Sequence, residues 1–193
     1  MKRVAKPGEI GNQGNIEVRN GRELYLIPPF VNGHSHSYTG ILKRTVNKVP
    51  LDLYMLDAIA LGENRESDLI YDCTYLRGLE LLRNGFQVTD DHFSQRPYLN
   101  EEGIQAAIQA YKDLGLKAVI APMFSDLVYM DSLPFVTNKK GASSPISPYA
   151  QLIEQLMKKY KSDSIIEIAL GVDGVQRCTD DLLLSDKTFA ARV

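Results

Sequence analysis

The stretch Leu24-Tyr25-Leu26-Ile27-Pro28-Pro29-Phe30-Val31-Asn32-Gly33-His34-Ser35-His36 decides the predicted fold class of this chain. Its apolar part, residues 24–31, predicts a buried strand, and Asn32-Gly33 is a turn signal at the end of that strand. Side chains two positions apart in extended backbone point the same way, so we expect the rings of His34 and His36 to converge beyond the carboxyl end of the strand. Parallel α/β proteins place their sites at that end of their strands.

The pair His34 and His36 predicts a metal site. Neutral imidazole nitrogens bind Zn²⁺ or a similar divalent ion, and two convergent rings supply two ligands. The alternative is a pair of solvent-exposed loop histidines beside a turn, which a bare His-x-His pattern would favour. Because this pair directly follows an apolar strand, metal ligation is the favoured interpretation.

Downstream of this stretch, predicted helices alternate with predicted strands. The helices cover 66–84, which Gly85 ends, then 101–114, which Asn100 caps and Gly115 ends, then Pro148 to about Tyr160, and a last segment that Thr179 or Asp180 opens. The strands cover 86–89, which leads into Asp90-Asp91-His92, then 117–123 and 165–170. Irregular structure is predicted for a turn-rich leader over 1–23, for the residues up to about Leu61, and for 136–147.

This alternation defines the predicted fold class. Short apolar strands that alternate with longer helices imply βαβ units and a parallel, fully buried sheet. We count four strand–helix units in the sequence, whereas an eight-unit barrel needs about 250 residues. The predicted fold is therefore α/β, a partial (β/α)₈ barrel of about four β/α units.

Composition excludes several classes of protein. The chain has 193 residues, of which 44% are hydrophobic and 24% charged, and its formal net charge is −2, as is typical of a globular protein with one sizeable core. The sequence contains no basic stripe of the kind that binds nucleic acid. No apolar run approaches the roughly 18 residues of a membrane span. Cys73 and Cys178 are far apart, so we expect no disulfide. Without a signal-peptide core at the N-terminus, we expect a cytoplasmic protein that binds a small molecule.

Residues 27–36 resemble the first-strand signature of the amidohydrolase superfamily, a Pro-Gly-Phe-(Val/Ile)-(Asn/Asp)-x-His-x-His segment that carries two metal ligands. Pro29 stands where that family usually has glycine. Residues 85–92 resemble the second-strand segment Gly-x-Thr-x-x-x-Asp-His, with Gln87 at the usual threonine. Residues 116–126 are similar to the third strand of the cytosine deaminase and triazine hydrolase branch. Residues 171–182 are similar to the exit of the fourth strand in that branch.

The resemblance implies a metal-dependent hydrolase that acts on C–N or C–halogen bonds of a nitrogen heterocycle, deaminase-like in its chemistry. It implies that His34 and His36 bind a divalent metal, zinc or alternatively iron. No lysine occurs over 165–173, where binuclear members of the superfamily place a carboxylated lysine, so the mononuclear branch is favoured. In this interpretation residues 1–23 are a shortened N-terminal β segment, and residues 24–193 are the N-terminal half of the barrel.

Five further residues are candidates with weaker signals. The resemblance marks Gln176 as a substrate-binding residue. His92 either contacts the substrate or orients a ligand, or it is a loop histidine with a nearby hydrogen-bond partner. The neighbours Asp90 and Asp91 point to opposite faces of a strand, so they are not an acid–base pair. One of them could hydrogen-bond a metal-bound histidine, although turn capping is the favoured role. Asp126 is expected to cap a helix or a turn.

The family's remaining ligands have no counterpart in this sequence. The family brings histidines from its fifth and sixth strands, a glutamate general acid/base, and an aspartate from its eighth strand. This chain has three histidines, and we expect no further β/α unit after Val193. A catalytic zinc site keeps three protein ligands, so no catalytic residue is assigned. The chain is therefore interpreted as a truncated product, a fragment of a longer protein or a degraded paralogue. The alternatives to a hydrolase are a truncated, catalytically inactive half-barrel fragment and a metal-binding or interaction module. A half-barrel is expected to form a homo-oligomer or to need a complementary half, because open sheet edges invite pairing.

Overall fold

The sheet of this protein is parallel throughout the part of the chain that the structure describes. The structure is a computed structural model that describes residues 19–96, 98–127 and 147–184, together with Lys6, Glu9, Gly14, Asn15 and Glu17. Its strands are β1 (Phe30–Ser35), β2 (Phe86–Phe93), β3 (Lys117–Phe124), β4 (Ile166–Ile168) and β5 (Gly171–Val172). They are ordered β1-β2-β3-β4, and β5 also pairs with β3. The predicted parallel α/β fold is therefore confirmed.

Helices connect the successive strands and cover the sheet. They are α1 (Leu51–Gly62), α2 (Ser67–Arg83), α3 (Glu101–Leu114) and α4 (Ser147–Tyr160). A 3₁₀ helix, Ser37–Leu42, follows β1, another, Val175–Arg177, follows β5, and a helical segment begins at residue 180. Apolar side chains of α2, α3, α4 and β3 form one core, whose fully buried members include Ile70, Ile104, Tyr111, Ile120 and Ile153. No helix in the described ranges is long and apolar enough to cross a membrane.

Helix α3 begins and ends where its sequence predicts. The Asn100 side chain accepts a hydrogen bond from the backbone N–H of Gly103 at 2.8 Å, which satisfies one of the donors that the first turn leaves without a partner. The helix ends at Gly115, whose φ of 64° lies in the left-handed region that glycine adopts without steric cost. Local chemistry therefore sets both ends of this helix.

The first strand is shorter and more exposed than predicted. Residues 24–29 lie outside β1, and the Tyr25 side chain is 96% exposed. Pairing begins at Phe30, whose backbone N–H donates to the Gly85 carbonyl at 3.0 Å. The two prolines before Phe30 have no N–H to donate to a strand ladder. Most of β1 is exposed, so the prediction of a fully buried sheet is wrong for this strand.

The region after β1 is helical, which contradicts the irregular stretch predicted up to about Leu61. Helix α1 exposes Leu51, Leu53 and Leu56, so its apolar residues do not form the one-sided stripe by which a helix is recognised in a sequence. Pro50 immediately precedes the helix, and proline is tolerated at a helix start because the first turn has no partner for its missing N–H.

The fourth predicted strand, residues 165–170, is divided in the structure. Strand β4 ends at Ile168, and β5 resumes pairing with β3 at Gly171. A Cβ at Gly171 would lie 2.7 Å from the Ala121 carbonyl oxygen, so only glycine allows this close approach. The irregular segment predicted over 136–147 lies outside the described residues except for Ser147, where α4 begins.

Candidate active site

All three histidines of the sequence lie together at the carboxyl edge of the sheet. The ring centroid of His34 lies 4.8 Å from that of His36 and 4.5 Å from that of His92. The centroids of His36 and His92 are 5.9 Å apart. The end of β1 therefore brings His34 and His36 together, and β2 adds His92 to them.

Hydrogen bonds fix the end of β1 against β2. The Ser35 hydroxyl donates to the Asp90 carbonyl at 2.9 Å and lies 3.0 Å from the Thr89 hydroxyl. Because the Ser35 side chain is buried, its two neighbours in extended backbone point away from that buried face. The alternation of the strand thus presents His34 and His36 on the same side, as their spacing predicts.

A hydrogen bond orients the His36 ring. Its Nδ1 lies 2.9 Å from the backbone carbonyl oxygen of His92. A carbonyl oxygen only accepts hydrogen bonds, so Nδ1 carries a proton, and a neutral ring would have its lone pair on Nε2. Histidines that bind metals characteristically donate their other ring N–H to a carbonyl or a carboxylate. The contact with the His92 carbonyl is of this kind and orients the His36 ring.

The surroundings of His34 favour its neutral form. Desolvation lowers its pKa below the ordinary value, and repulsion from His36 and from His92 lowers the pKa further, whereas Asp90 acts in the opposite direction. The neutral imidazole is the form that binds a metal ion. The His34 side chain is also exposed, so an ion has access to it.

Asp91 is a fully buried carboxyl that joins three elements. Its Oδ1 accepts a hydrogen bond from the backbone N–H of Ser37 at 2.8 Å, and its Oδ2 accepts one from the Tyr111 hydroxyl at 2.9 Å. Burial raises the pKa of Asp91, and the hydrogen bonds from Ser37 and Tyr111 oppose that rise. The adjacent Asp90 is partly exposed, and its Oδ1 lies 3.9 Å from His92 Nε2. The two acids therefore face opposite sides, as predicted.

A cavity of about 400 Å³ opens beside the histidines. Gln176 lines this cavity together with all three histidines. Further lining comes from the first 3₁₀ helix, from α1 and from the exits of β3 and β5, and it includes Tyr38, Asp52, Met55, Met123, Asp173 and Arg177. Apolar walls with a few convergent polar groups are typical of small-molecule sites.

Asp173, Arg96 and Arg177 form a charged group beside this cavity. No sequence pattern singles out this group. Asp173 accepts hydrogen bonds from Arg177 and from Arg96, the latter at 3.3 Å. Arg177 is buried. One signal could have identified Asp173, because it directly follows β5 at the same kind of strand exit that singles out His34.

Tyr38 is another cavity residue that no sequence pattern singles out. Burial raises the pKa of Tyr38 to about 12, so its hydroxyl keeps its proton. The Arg65 guanidinium lies 5.2 Å from the centroid of the Tyr38 ring, within the range of a cation–π interaction. Tyr38 also packs against His36, with 5.5 Å between the ring centroids.

Asp126, predicted to cap a helix or a turn, holds the residue that caps a helix and does not cap the helix itself. It accepts hydrogen bonds from the backbone N–H of Thr179 at 2.8 Å and from the Thr179 hydroxyl. The Thr179 hydroxyl in turn accepts from the backbone N–H of Leu182 at 3.3 Å, which is the bond of an N-cap residue. Asp126 therefore holds the start of the helical segment that begins at residue 180.

The donor set fits a divalent metal only in part. Imidazole rings in their neutral form suit the ligand chemistry of zinc, and the His36 ring already has an acceptor for its Nδ1 proton. Within residues 19–96, 98–127 and 147–184, however, no group of three or more histidine, cysteine, aspartate or glutamate side chains is arranged to hold a metal ion. His34 and His36 would supply two ligands, which is fewer than the three that a catalytic zinc site keeps.

Comparison with known proteins finds relatives of one enzyme class. The homologues and structural neighbours of the chain are deaminases and triazine hydrolases of the amidohydrolase superfamily. The chain is 26% identical over 180 residues to the 5-methylthioadenosine/S-adenosylhomocysteine deaminase of Thermodesulfovibrio yellowstonii. This match covers 92% of this chain and 37% of the relative. The chain is also 24% identical over 192 residues to the 5′-deoxyadenosine deaminase of Methanothrix thermoacetophila. This second match covers 98% of this chain and 40% of the relative. No family model matches the chain.

Comparison with solved structures gives the same fold. The atrazine chlorohydrolase of Arthrobacter aurescens, solved as a complex with zinc, superposes with a TM-score of 0.72 at 21% identity and covers 86% of this chain. The match covers 38% of that enzyme. The prediction of a partial (β/α)₈ barrel is confirmed at the level of the fold. The chain spans less than half the length of the proteins that it matches.

Proposed function

We propose that this chain forms part of a metal-dependent hydrolase that acts on C–N or C–halogen bonds of a nitrogen heterocycle, in a deaminase-like reaction. The observation that carries this proposal is the gathering of all three histidines beside a cavity of about 400 Å³ at the edge where parallel sheets place their sites. The names of the relatives support it, because two are deaminases of adenosine derivatives and one is a triazine chlorohydrolase.

In this proposal His34 and His36 hold the divalent ion, with zinc as the metal and iron as the alternative. The neutral state of His34 and the bond from His36 Nδ1 to the His92 carbonyl support ligation, as does the zinc in the triazine chlorohydrolase structure. When bound, such an ion supplies Lewis-acid chemistry that activates water toward the ring carbon. His92 and Gln176 contact the heterocycle, since both line the cavity beside the ligand pair.

The proposal includes the organisation of the chain. Residues 1–23 form a shortened N-terminal β segment, and residues 24–193 form the N-terminal half of the barrel. The missing ligands come from a complementary half or from a second copy in a homo-oligomer. We also propose a cytoplasmic location, because neither Cys73 nor Cys178 forms a disulfide and unpaired thiols are typical of reducing compartments.

A second candidate function is a catalytically inactive half-barrel that binds metal or acts as an interaction module. One observation favours it, namely that the described residues contain no group of three metal-binding side chains arranged around an ion. Loss of a general acid/base alone typically reduces a rate by about 10²–10⁴-fold. A chain with two ligands and no assigned acid/base would therefore bind an ion without turnover.

Zinc affinity tests the assignment of the ligands. We expect His34→Ala and His36→Ala each to weaken zinc binding by at least about tenfold, because each removes one donor of a two-nitrogen set. His92→Ala is the matched control from the same cluster and should retain the affinity of the wild type. Competition with a chromophoric chelator measures these affinities. Equal affinity in all four proteins would contradict the assignment.

Ammonia release separates the two candidate functions. With zinc, the isolated chain is expected to release no more ammonia from adenosine-type, cytosine or triazine substrates than its His34→Ala variant. If the chain is part of a hydrolase, co-expression with the unmatched remainder of the Thermodesulfovibrio yellowstonii deaminase should produce release that His34→Ala abolishes. Absence of release in both preparations would favour the inactive half-barrel.

A further inference from the structure

We propose that Asp91 is a positioning residue, which fixes the orientation of His36 by capping the 3₁₀ helix that follows β1. No hydrogen bond joins the Asp91 carboxylate to the His36 ring, and Asp91 acts through the backbone of Ser37. The inference rests on the proposed function only in its consequence for metal binding. The orientation of His36 itself can be measured in the protein without metal.

The chain changes direction at His36. Its φ of −134° and ψ of 99° are extended, and the 3₁₀ helix begins at the next residue, Ser37. The first N–H groups of a helix have no acceptor within the helix. No side-chain hydrogen bond from His36, the N-cap residue, satisfies them. Asp91 of the neighbouring strand supplies the missing acceptor, at 2.8 Å from the Ser37 nitrogen.

Burial gives this cap a single geometry. Asp91 and Tyr111 are both 0% exposed, and the Tyr111 hydroxyl donates to the second carboxylate oxygen of Asp91 at 2.9 Å. A buried donor or acceptor that loses its partner cannot turn to water, so alternative arrangements of this group are costly. One oxygen of the Asp91 carboxylate is thus bound by Tyr111 of α3. The other oxygen binds the first N–H of the 3₁₀ helix, at Ser37.

Strand β2 therefore holds both the backbone and the ring of the same candidate ligand. Asp91 fixes the peptide group between His36 and Ser37, and the carbonyl of the adjacent His92 accepts the His36 Nδ1 proton at 2.9 Å. Because these two acceptors are neighbours in one strand, the ring reaches the carbonyl only while the backbone stays in place. Removing the Asp91 acceptor should release the ring and allow both neutral tautomers.

Three substitutions separate positioning from stability. Asp91→Leu removes the acceptor at similar side-chain size, and Asp91→Ala does so without added bulk should the leucine variant not fold. Asp91→Asn keeps an amide oxygen that can accept from Ser37, so it should behave as the wild type. Tyr111→Phe is the matched control, because it removes the bond to the other carboxylate oxygen and leaves the Ser37 bond intact. Denaturant unfolding gives the stability of each variant.

The first readout is the tautomer of His36, observed in long-range ¹⁵N–¹H NMR spectra of the metal-free protein. We expect a single Nδ1–H form in the wild type, in Asp91→Asn and in Tyr111→Phe, and a mixture in Asp91→Leu or Asp91→Ala. The second readout is zinc affinity, which should fall about 10–100-fold in the variants without an acceptor. A wild type with the proton on Nε2, or an acceptor-free variant that keeps the Nδ1–H form, would overturn the inference. A wild type that shows the Nδ1–H form but binds no zinc would contradict the proposed function alone.

Discussion

Lys112 and Asp163 form an ion pair, with 2.6 Å between Nζ and Oδ2, that joins the last turn of α3 to the turn before β4. The other carboxylate oxygen of Asp163 accepts hydrogen bonds from the backbone N–H groups of Ile165 at 2.9 Å and Ile166 at 3.0 Å. The hydrogen bond from Lys112, followed by those from the two amides, lowers the pKa of Asp163 to about 2.

This shift predicts a loss of stability in acid. Because the pKa in the folded state lies below the ordinary value of 3.8, the ionised carboxylate stabilises the fold above that value, and its contribution is lost as the pH falls toward about 2. Urea unfolding at a series of pH values should show Asp163→Asn less stable than the wild type near neutral pH, with the difference narrowing in acid. A difference that stays constant with pH would contradict this account.

Helix α3 provides a second prediction, because its cap is a single side chain. Asn100→Ala removes the acceptor of the Gly103 N–H and should lower the free energy of unfolding by about 1 kcal/mol. Asn100→Ser is the matched control, since serine is also a good N-cap residue, and it should cost much less. Thermal and urea unfolding measure both variants. Equal losses in the two variants would show that the cap is not the cause.

The exposed first strand provides a third prediction, which concerns assembly. Phe30 and Val31 are 53% and 65% exposed, and β1 is an end strand in the described sheet order. Edges of this kind invite pairing with other chains, so we expect the isolated chain to self-associate. Val31→Lys should reduce association, whereas Leu76→Lys on the exposed surface of α2 should not. Sedimentation velocity over a range of concentrations tests this, and a monodisperse wild-type monomer would count against it.

The parts of the fold that the sequence predicts are those that depend on neighbouring residues. Asn100 and Gly115 bound α3 through contacts within one turn, so their chemistry is legible in the sequence. The start of β1 cannot be read from the sequence in this way, because it is determined by where β2 begins. Phe30 pairs with Phe86, which lies far along the chain. Helix α1 escapes prediction for another reason, since its apolar residues lie on several faces and part of them remains exposed.

The candidate site divides in the same way. The convergence of His34 and His36 follows from their two-residue spacing, so it can be predicted. The contact of Asp91 with Tyr111, by contrast, joins two elements whose packing only the folded structure reveals. The pairing of Asp173 with Arg96 spans a still longer stretch of chain. Sequence patterns identify groups that lie on one element and miss those assembled from several.

The location of the histidine pair on β1 has a consequence for its dynamics. Within the described residues β1 has one strand neighbour, β2, and most of its length is exposed. Such segments open at a lower free-energy cost than the core, so we expect β1 to open more readily than β2 and β3. We therefore expect amide exchange at His34 and His36 to be faster than in those two strands. Any ligand that bridges β1 and β2 would slow that exchange, and its apparent affinity would include the free energy of ordering the strand.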